Sequence, residues 1–359
     1  MGVECVGSRE FDETVASFDG VAHEITSAFA AARWPGLARE PLVFRAGGKP
    51  VAAALVLIWR MPVIGAAVAV SKWGPVLASE TEYGSAEIYD AAIDHLIAEY
   101  AVRRRMMLSV MARAEKDWPL LATERLKRRG FWFGTAFPFP NFYFVRILGS
   151  EADQRRSYSQ KWRYHLSRSE RQGLAFEVAN ASDLPRFQAL YEAMSRRKRF
   201  PDYSAYQTLE QVLSEAPDSV APRLFLVTKD KRDLAGAVVF TAGRTAAYLY
   251  GATCEEALPL RAGYFMHDRV IDWLRANSRA EWYDLGGSDG FQGLHQFKKG
   301  MIGNAGLMAQ VPAVASFAAH LRPRVVGKTL YAMRDGLQRC RRLARLCTGR
   351  CRLTSGSSA

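Results

Sequence analysis

Glu281-Trp-Tyr-Asp-Leu-Gly-Gly-Ser-Asp-Gly-Phe-Gln-Gly-Leu-His-Gln-Phe-Lys-Lys-Gly-Met301 is the stretch from which the fold of this 359-residue chain can be worked out. Its apolar residues between 282 and 285 predict a short buried strand. Gly286 and Gly287 predict that the strand ends where the backbone needs an unusual φ or a close approach. A polar loop and a short helix follow, and this order of elements is typical of an α/β protein.

The predicted helix carries the positive charges of this stretch. Leu294 and Phe297 recur at helical spacing, and Gly300 predicts the end of the helix. Lys298 and Lys299 would then lie beside the glycine-rich loop and form a platform for a polar, anionic ligand. Alternatively, the two lysines only favour the negative end of the helix dipole. The stretch by itself leaves both interpretations open.

The composition is that of a soluble globular protein. Hydrophobic residues make up 49% of the chain and charged residues 24%, and the length allows two domains of ordinary size. The five cysteines form no CxxC pair and no metal-ligand spacing with histidine, which predicts a reducing compartment. The first twenty residues are rich in charge and contain no apolar run, so we expect no secretory signal and a cytoplasmic location.

One apolar segment, residues 51–70, is long enough to cross a membrane. Its single charge, Arg60, lies at the centre, where insertion into the bilayer would cost about 2.5 to 3.5 kcal/mol. Pro62 and Gly65 follow. We therefore predict two buried strands joined by a turn near Arg60.

Positive charge is concentrated at the C-terminus. The net charge of the chain is +13, and residues 312–359 carry ten basic side chains and one acidic one. Apolar residues recur among these arginines at roughly helical spacing. This pattern favours a basic amphipathic helix in peripheral contact with anionic lipid at the inner face of the plasma membrane. The alternative is a helix docked on the body of the protein, followed by a frayed end.

The order of predicted elements occurs twice. Three strands, a helix, a strand and a second helix are predicted first over 42–131 and again over 224–301. Short matches accompany them: Ile93-Asp94-His-Leu96 with Ile271-Asp272-Trp-Leu274, and Arg128-Arg-Gly-Phe131 with Lys298-Lys-Gly-Met301. The predicted organisation is a first domain at 1–150, a basic connector at 151–180, a second domain at 181–311 and a tail at 312–359.

The connector is predicted to contain one basic helix over residues 155–171. Trp162 and Leu166 lie on one face, Ser157 or Ser159 caps the start, and a glycine supplies the stop. The basic face of this helix would either contact phosphate groups or simply be solvated.

Two tandem units closed by Leu126-Lys-Arg-Arg-Gly-Phe-Trp-Phe133 and Phe297-Lys-Lys-Gly-Met301 resemble paired acyltransferase domains of the GNAT type, an α/β fold with mixed sheets. More narrowly, the chain resembles the FemAB family of peptidoglycan aminoacyltransferases, including FemX-like members that lack a coiled-coil insertion. The resemblance covers residues 40–310. Its motifs are Lys72-Trp-Gly-Pro75, Lys161-Trp-Arg-Tyr-His-Leu166, Tyr248-Leu-Tyr-Gly-Ala252, Asp284-Leu-Gly-Gly287 and Phe297-Lys298.

This resemblance implies transfer of an amino acid from aminoacyl-tRNA to an amino group of a peptidoglycan stem peptide, on a nucleotide-linked or lipid-linked precursor and without a bound cofactor. It implies that Lys298, preceded by Phe297, lies beside the donor ester and the developing oxyanion. Aminolysis of an ester needs a free amine and stabilisation of charge rather than a covalent intermediate. One good oxyanion donor contributes about 3 to 4 kcal/mol.

The resemblance also implies an acceptor site. Arg199 and Tyr203 match in spacing an Arg and a Tyr that the family uses on the phosphate or sugar of the acceptor, and the planar guanidinium fork suits phosphate. Lys72 and Tyr250 are the other predicted substrate-binding residues. Alternatively, Arg199 ends an ordinary basic helix and Lys72 is a solvated strand end. The family often has a Trp followed by a Lys near the N-terminus, where this chain has Trp34-Pro-Gly-Leu-Ala-Arg39.

Candidates for proton transfer lie close to Lys298 in the sequence. His295, three residues earlier on the same helical face, is a candidate proton carrier, and His267 is the other histidine near the predicted site. Asp284 and Asp289 are candidate bases. Each of these residues also has a purely structural interpretation, since an Asp at a strand end readily caps the following loop.

Two other function classes remain open on the sequence. In a CoA-dependent N- or O-acyltransferase acting on a polysaccharide or amino sugar, a glycine-rich turn would bind the pyrophosphate of acetyl-CoA. The equivalent residues, Leu260-Arg-Ala-Gly-Tyr-Phe265, contain one glycine and a bulky residue where a second small residue is expected. The other class is a non-catalytic binding module that contacts nucleic acid or membrane.

Overall fold

Two β-sheets, each containing one parallel pair of strands, organise the structure. The computed structural model describes residues 1–61, 66–114, 122–134, 139–198, 205–288, 290–333 and 335–336. Its strands are β1 (Gly2–Cys5), β2 (Ala38–Ala46), β3 (Lys49–Met61), β4 (Ala66–Lys72), β5 (Val76–Leu77), β6 (Met107–Met111), β7 (Trp132–Phe133), β8 (Asn141–Arg146), β9 (Ala175–Ala179), β10 (Arg223–Lys229), β11 (Arg232–Phe240), β12 (Thr245–Thr253), β13 (Trp282–Asp284), β14 (Leu307–Gln310) and β15 (Ala315–Phe317).

Helices cover both sheets. They are α1 (Ser8–Ala16), α2 (Ser27–Arg33), α3 (Ser85–Leu96, continued by a π-helical turn, Ile97–Arg103), α4 (Ala122–Arg128), α5 (Glu151–Ser157), α6 (Gln160–Glu170), α7 (Leu184–Lys198), α8 (Leu209–Glu215), α9 (Ala257–Leu260), α10 (Ala262–Asn277) and α11 (Gln292–Ile302). A further helix, α12, spans 321–333.

The predicted duplication is visible in the strand order. The first sheet runs β1-β2-β3-β4-β6-β15-β7 with β5 beside β3, and the second runs β14-β8-β13-β12-β11-β10-β9. Each contains four consecutive antiparallel strands that end in one parallel pair, β4 with β6 or β12 with β13. A helix connects the members of each parallel pair, as a parallel connection requires. The sequence therefore correctly predicts two tandem α/β units with mixed sheets.

The two units exchange one strand each, which the sequence does not reveal. β8 follows the first unit in the chain but lies between β13 and β14, and β15 follows the second unit but lies between β6 and β7. A boundary at residue 150 therefore separates β8 from its own sheet, and a tail that begins at 312 removes β15 from the first sheet. Strand spacing predicts that a strand exists, whereas its hydrogen-bonding neighbours are set by tertiary structure.

The apolar segment 51–70 belongs to the first sheet. β3 and β4 pair antiparallel, with Trp59 opposite Val68, which confirms the prediction of two strands. Arg60 lies within β3, opposite Ala67, and residues 62–65 between the strands lie outside the described ranges. Nowhere in the described ranges is there a helix both long and apolar enough to cross a bilayer.

The connector forms two helices where one was predicted. α5 ends at Ser157 and α6 begins at Gln160, because Tyr158 and Ser159 are extended. The Tyr158 ring is buried and its hydroxyl donates to Asp268 Oδ1 at 3.2 Å. The Ser159 hydroxyl caps α6 by accepting a hydrogen bond from the Trp162 amide at 3.3 Å. Ser159 is one of the two residues predicted for this cap. Burial of Tyr158 thus breaks the predicted helix.

Helix α11 also differs from its prediction. It continues through Gly300 to Ile302 and ends at Gly303, where φ is +56°. A Cβ on Gly300 would lie 3.1 Å from Trp162 Cδ1, so this glycine lets α11 pack closely on α6. Leu294 is exposed, and the buried residues of α11 are Lys298, Met301 and Ile302.

An apolar cluster joins the two units. Phe11, Val43 and Leu55 from the first unit pack in one buried cluster with Val220 and Phe240 from the second. Apolar burial contributes about 25 cal/mol per Å². This shared core fixes the position of one sheet relative to the other.

The C-terminal helix α12 is docked on the first sheet. Tyr331 Oη donates to Ser109 Oγ at 2.8 Å, and Gly327 lies against the Met107 side chain. Of the two interpretations of the tail, docking on the body therefore holds for residues 321–333. Residues 337–359 lie outside the described ranges.

Candidate functional site

The parallel pair of the second sheet opens into a split. β12 and β13 are paired from Thr245 opposite Trp282 to Ala247 opposite Asp284. β13 ends there and its chain turns at Gly286, where φ is +67°, whereas β12 continues to Thr253. The prediction of an unusual φ after this strand is confirmed at Gly286. The two strands therefore diverge in the middle of the sheet.

A β-bulge at Leu249 decides which side chains face the split. The register of β12 against β11 shifts between Tyr248 and Tyr250, so Leu249 is the extra residue. Such a bulge re-aims the side chains that follow it. Tyr248 packs on the α10 side of the sheet and Tyr250 on the α7 side. Gly251 leaves room for the Tyr248 ring, because a Cβ there would lie 1.4 Å from the Tyr248 hydroxyl oxygen.

Lys298 lies at the end of the split. Its side chain is on the buried face of α11, with a relative exposure of 6%. The ammonium donates to the carbonyl oxygens of Leu285 and Gly287, in the loop that follows β13. These carbonyls hold the charge at a fixed position in a weakly solvated site, where its interaction with a developing negative charge is strong.

Lys298 lines a cavity of about 390 Å³ between β12, α10 and α11, which we call the α10-side cavity. No Ser or Cys is found among the described residues of its lining. A covalent acyl-enzyme of the usual serine or cysteine type therefore has no candidate nucleophile in these walls. The lining of this cavity includes Tyr248, Gly251, Arg261, His267, Phe297 and Lys298.

His267 is buried beside Lys298. Its Nδ1 lies 3.2 Å from the Tyr283 hydroxyl oxygen, and its ring centroid lies 5.6 Å from that of Phe297. Burial, together with the positive charge of Lys298, lowers the pKa of His267 to about 3. The imidazole is therefore neutral at physiological pH and adds no charge to compete with the ammonium.

The low pKa of His267 predicts a loss of stability in acid. The unfolded imidazole, with a pKa near 6.5, takes up a proton as the pH falls, whereas the folded one does not until about pH 3. Stability thus decreases from pH 6.5 downward, by about 2 kcal/mol at pH 5 from this residue. Urea unfolding of His267→Gln should show a smaller difference between pH 7.5 and pH 5 than the native chain. The half-buried His320→Gln is the control, and equal pH dependence in all three proteins would contradict the prediction.

A second cavity, of about 170 Å³, lies between the two units; we call it the interdomain cavity. Glu24, Trp73 and Arg113 line it from the first unit, and Tyr248 and Asp284 from the second. Arg113 forms an ion pair with Glu80. Burial lowers the pKa of Arg113 to about 10, with Asp284 and Asp19 acting in the opposite direction, so the guanidinium stays charged.

The two cavities lie on opposite faces of the split sheet and share Tyr248. Leu249 and Asp284 line the interdomain cavity, and their neighbours Gly251 and Leu285 line the α10-side cavity. Two molecules bound one in each cavity would therefore approach each other where β12 and β13 diverge. This is a geometry suited to the transfer of a group from one to the other.

The structure separates the residues predicted near Lys298. Phe297 forms a wall of the α10-side cavity, with its ring centroid 4.9 Å from that of Tyr264. His295 lies against β8, with Nδ1 2.5 Å from Tyr143 Oη, and is not among the described residues that line this cavity. Asp284 accepts a hydrogen bond from the Gly286 amide at 2.7 Å and thereby caps the loop that follows β13. The same residue also lines the interdomain cavity.

The predicted acceptor residues are dispersed. Lys72 forms an ion pair with Glu24 at 2.7 Å, and its Nζ lies 5.5 Å from the centre of the Trp34 ring. Tyr250 is buried under α7, edge-on to Tyr206 at 5.9 Å, and burial raises its pKa. Arg199, Tyr203 and Asp289 lie outside the described residues. Lys72 and Tyr250 are therefore not brought together with Lys298.

Sequence reasoning missed several residues of the two cavities. Glu24 and Arg113 stand in stretches without a recognisable motif, and only the folded chain brings them opposite Asp284. Tyr248 belongs to a quoted motif, but the bulge that selects it over Tyr250 is not visible in the sequence. The one available signal was Gly251, since an isolated glycine in a strand often marks a bulge or a close approach.

Comparison with known proteins supports the predicted resemblance at the level of fold. Residues 152–299 match the family model of the acetyltransferase (GNAT) domain. The structure of FemX is 16% identical, with a TM-score of 0.73, and the match covers 93% of this chain and 99% of FemX. No curated protein sequence matches the chain significantly.

Two further structures share the fold at lower similarity. The C-terminal domain of a putative lysylphosphatidylglycerol synthetase from Agrobacterium fabrum is 14% identical, with a TM-score of 0.55, and the match covers 86% of this chain and 92% of the domain. L-PGS from Bacillus licheniformis is 11% identical, with a TM-score of 0.54, and the match covers 90% of this chain and 95% of L-PGS. The chain therefore has the FemX-like tandem fold and contains a GNAT-type acyltransferase domain.

Proposed function

We propose that this chain, with the fold of FemX and a GNAT domain in its second half, is an aminoacyltransferase that transfers an amino acid from aminoacyl-tRNA to an amino group of a peptidoglycan precursor. The observation that carries the proposal is the position of Lys298. A buried ammonium, fixed by two carbonyls, lines the α10-side cavity, which shares Tyr248 with the interdomain cavity on the other face of the split sheet.

The α10-side cavity takes the donor. The ester carbonyl of the aminoacyl group lies beside Lys298, and its oxygen becomes negative when an amine attacks the carbonyl carbon. The ammonium stabilises that charge more in the transition state than in the ground state, which is the condition for catalysis. The neutral His267 behind it leaves the local charge positive.

The interdomain cavity takes the acceptor amine. The amine nitrogen, entering beside Tyr248, forms the new C–N bond, and the bond from the acyl carbon to the ribose oxygen of the tRNA breaks. One proton leaves the nitrogen and one reaches the ribose oxygen, so the step is balanced without a cofactor. Glu24 and Asp284 provide carboxylates that hold an incoming ammonium before it is deprotonated.

The comparisons bear on the acyl group more than on the acceptor. One of the similar folds is named as the C-terminal domain of a putative lysylphosphatidylglycerol synthetase. That name supports an amino acid as the transferred group. The peptidoglycan acceptor rests on the resemblance to the FemAB family and is the finer part of the proposal.

A CoA-dependent acyltransferase is the second candidate. Arg261, with φ of +58°, and Gly263 begin α10 and line the α10-side cavity, where backbone N–H groups at a helix N-terminus suit a phosphate. Phe265, in place of a second small residue, packs under the Arg269 guanidinium at 5.6 Å. Its bulk beside the turn favours the tRNA donor over CoA.

One transfer assay separates these candidates. The protein is incubated with labelled aminoacyl-tRNAs or labelled acetyl-CoA, and with nucleotide-linked or lipid-linked precursors. We expect label to pass only from the charged tRNAs, and RNase to abolish the transfer. Labelling from acetyl-CoA alone would establish the second candidate, and tRNA-dependent labelling of another amine would retain the donor and replace the acceptor. No transfer from either donor would leave a binding module.

A further inference from the structure

The outward face of α12 carries exposed apolar residues around one lysine. Leu321, Val325 and Ala332 follow one line along the helix, at i, i+4 and i+11, and all three are exposed, as is Lys328 on the same line at i+7. Leu321 is 76% exposed and Val325 54%. A helix that only covers a sheet normally turns such residues inward, so this line needs another explanation.

The opposite face of α12 is fixed on the protein. Pro323 and Gly327 are buried, and Tyr331 bonds Ser109. Arg324 and Lys328 each lie 5.1 Å from the centre of the Trp132 ring. The helix therefore cannot rotate to bury its outer line without losing these contacts.

The apolar line continues onto a neighbouring element. The His320 imidazole, at the start of α12, lies 3.4 Å from the Val102 carbonyl oxygen, and the Val102 side chain is 50% exposed. The exposed Arg103 side chain follows Val102 directly. Together Val102, Leu321, Val325 and Ala332 form what we call the α12 face.

The α12 face is surrounded by positive charge. Arg322 and Arg324 flank the apolar line, and Lys328 lies on it with its ammonium over the Trp132 ring. A second copy of this chain seated on the face would bring basic side chains against basic side chains. A surface with an apolar centre and negative charge around it is the complement that these residues require.

We propose that the α12 face docks the protein on an anionic lipid bilayer, with Leu321 and Val325 entering the interface and the basic residues contacting lipid phosphates. Shallow insertion of an apolar helix face, flanked by Lys and Arg, is how interfacial helices bind. Docking does not depend on the proposed transfer reaction. It would place the protein where lipid-linked amines are available.

Vesicle co-sedimentation of the full chain tests the docking. We expect binding to vesicles of phosphatidylglycerol mixed with phosphatidylcholine, weaker binding at high salt, and little binding to phosphatidylcholine alone. The double variant Leu321→Asp with Val325→Asp should bind at least about tenfold more weakly. Both residues point outward, so the variant should unfold at the same urea concentration as the native chain.

The control is Val178→Asp, which places the same charge on a residue that is 50% exposed in β9. It should bind vesicles like the native chain. Native-like vesicle binding by the double variant would overturn the proposal and assign any lipid binding to residues 337–359 alone. Loss of tRNA binding with unchanged vesicle binding would also overturn it, because the face would then be a nucleic-acid surface. Neither readout requires transfer activity, so failure of docking and failure of the transfer proposal can be told apart.

Discussion

Lys298→Met should lower the turnover of aminoacyl transfer by about 10²- to 10³-fold, the usual cost of removing one oxyanion donor. Methionine retains most of the length and apolar volume of the lysine stem in this buried position, so the chain should remain folded. The ammonium acts on the transition state, and we therefore expect kcat to fall much more than KM rises. Initial rates over a range of aminoacyl-tRNA concentrations would separate the two constants.

The first unit supplies a matched control. Arg128 on α4 corresponds in the duplicated sequence to Lys298 on α11, but it is exposed. Arg128→Ala should leave transfer unchanged. If Lys298→Met also retains full activity while folded, Lys298 does not stabilise the oxyanion, and its carbonyl contacts are only structural.

Gly303→Ala should destabilise the protein by about 3 kcal/mol or more, because two effects add. Gly303 ends α11 at φ +56°, a conformation that an L-residue adopts only with strain, and an added Cβ would lie 1.8 Å from the Ser157 carbonyl oxygen. That oxygen accepts from the Asn304 amide at 3.0 Å, so it cannot move without loss of the contact. Urea unfolding at neutral pH would measure the effect.

The matched control for this substitution is in the same helix. Gly293 has no heavy atom within 4 Å of an added Cβ and lies in the first turn of α11. Gly293→Ala should be neutral or stabilise by up to about 1 kcal/mol, since alanine restricts the unfolded chain. Equal stability of the two variants would show that the turn at Gly303 adjusts freely, contrary to the packing described for it.

The two cavities explain why a duplicated chain has one candidate site. In the second unit, Lys298 lies on the buried face of the last helix, α11. The corresponding residue of the first unit, Arg128 on α4, is exposed to solvent. The first unit contributes the opposite wall, through Glu24, Trp73 and Arg113. The units have thus taken different roles around one split sheet.

The sequence alone determined the two tandem units, because each strand and helix is encoded by local periodicity and by its bounding glycines. The strands β3 and β4 and the matching helices α3 and α10 were predicted for this reason. The sequence also singled out Phe297 and Lys298, because the order of its motifs along the chain resembles that of a known family.

Tertiary structure alone decided where those residues act. The exchange of β8 and β15, the break at Tyr158 and the bulge at Leu249 depend on contacts between segments far apart in the chain. Burial turned Lys298 from a helix-end charge into a fixed ammonium at a cavity wall. Glu24, Arg113 and Asp284 came together only through folding, since hydrophobic patterning specifies which face is buried and not which distant polar groups will meet there.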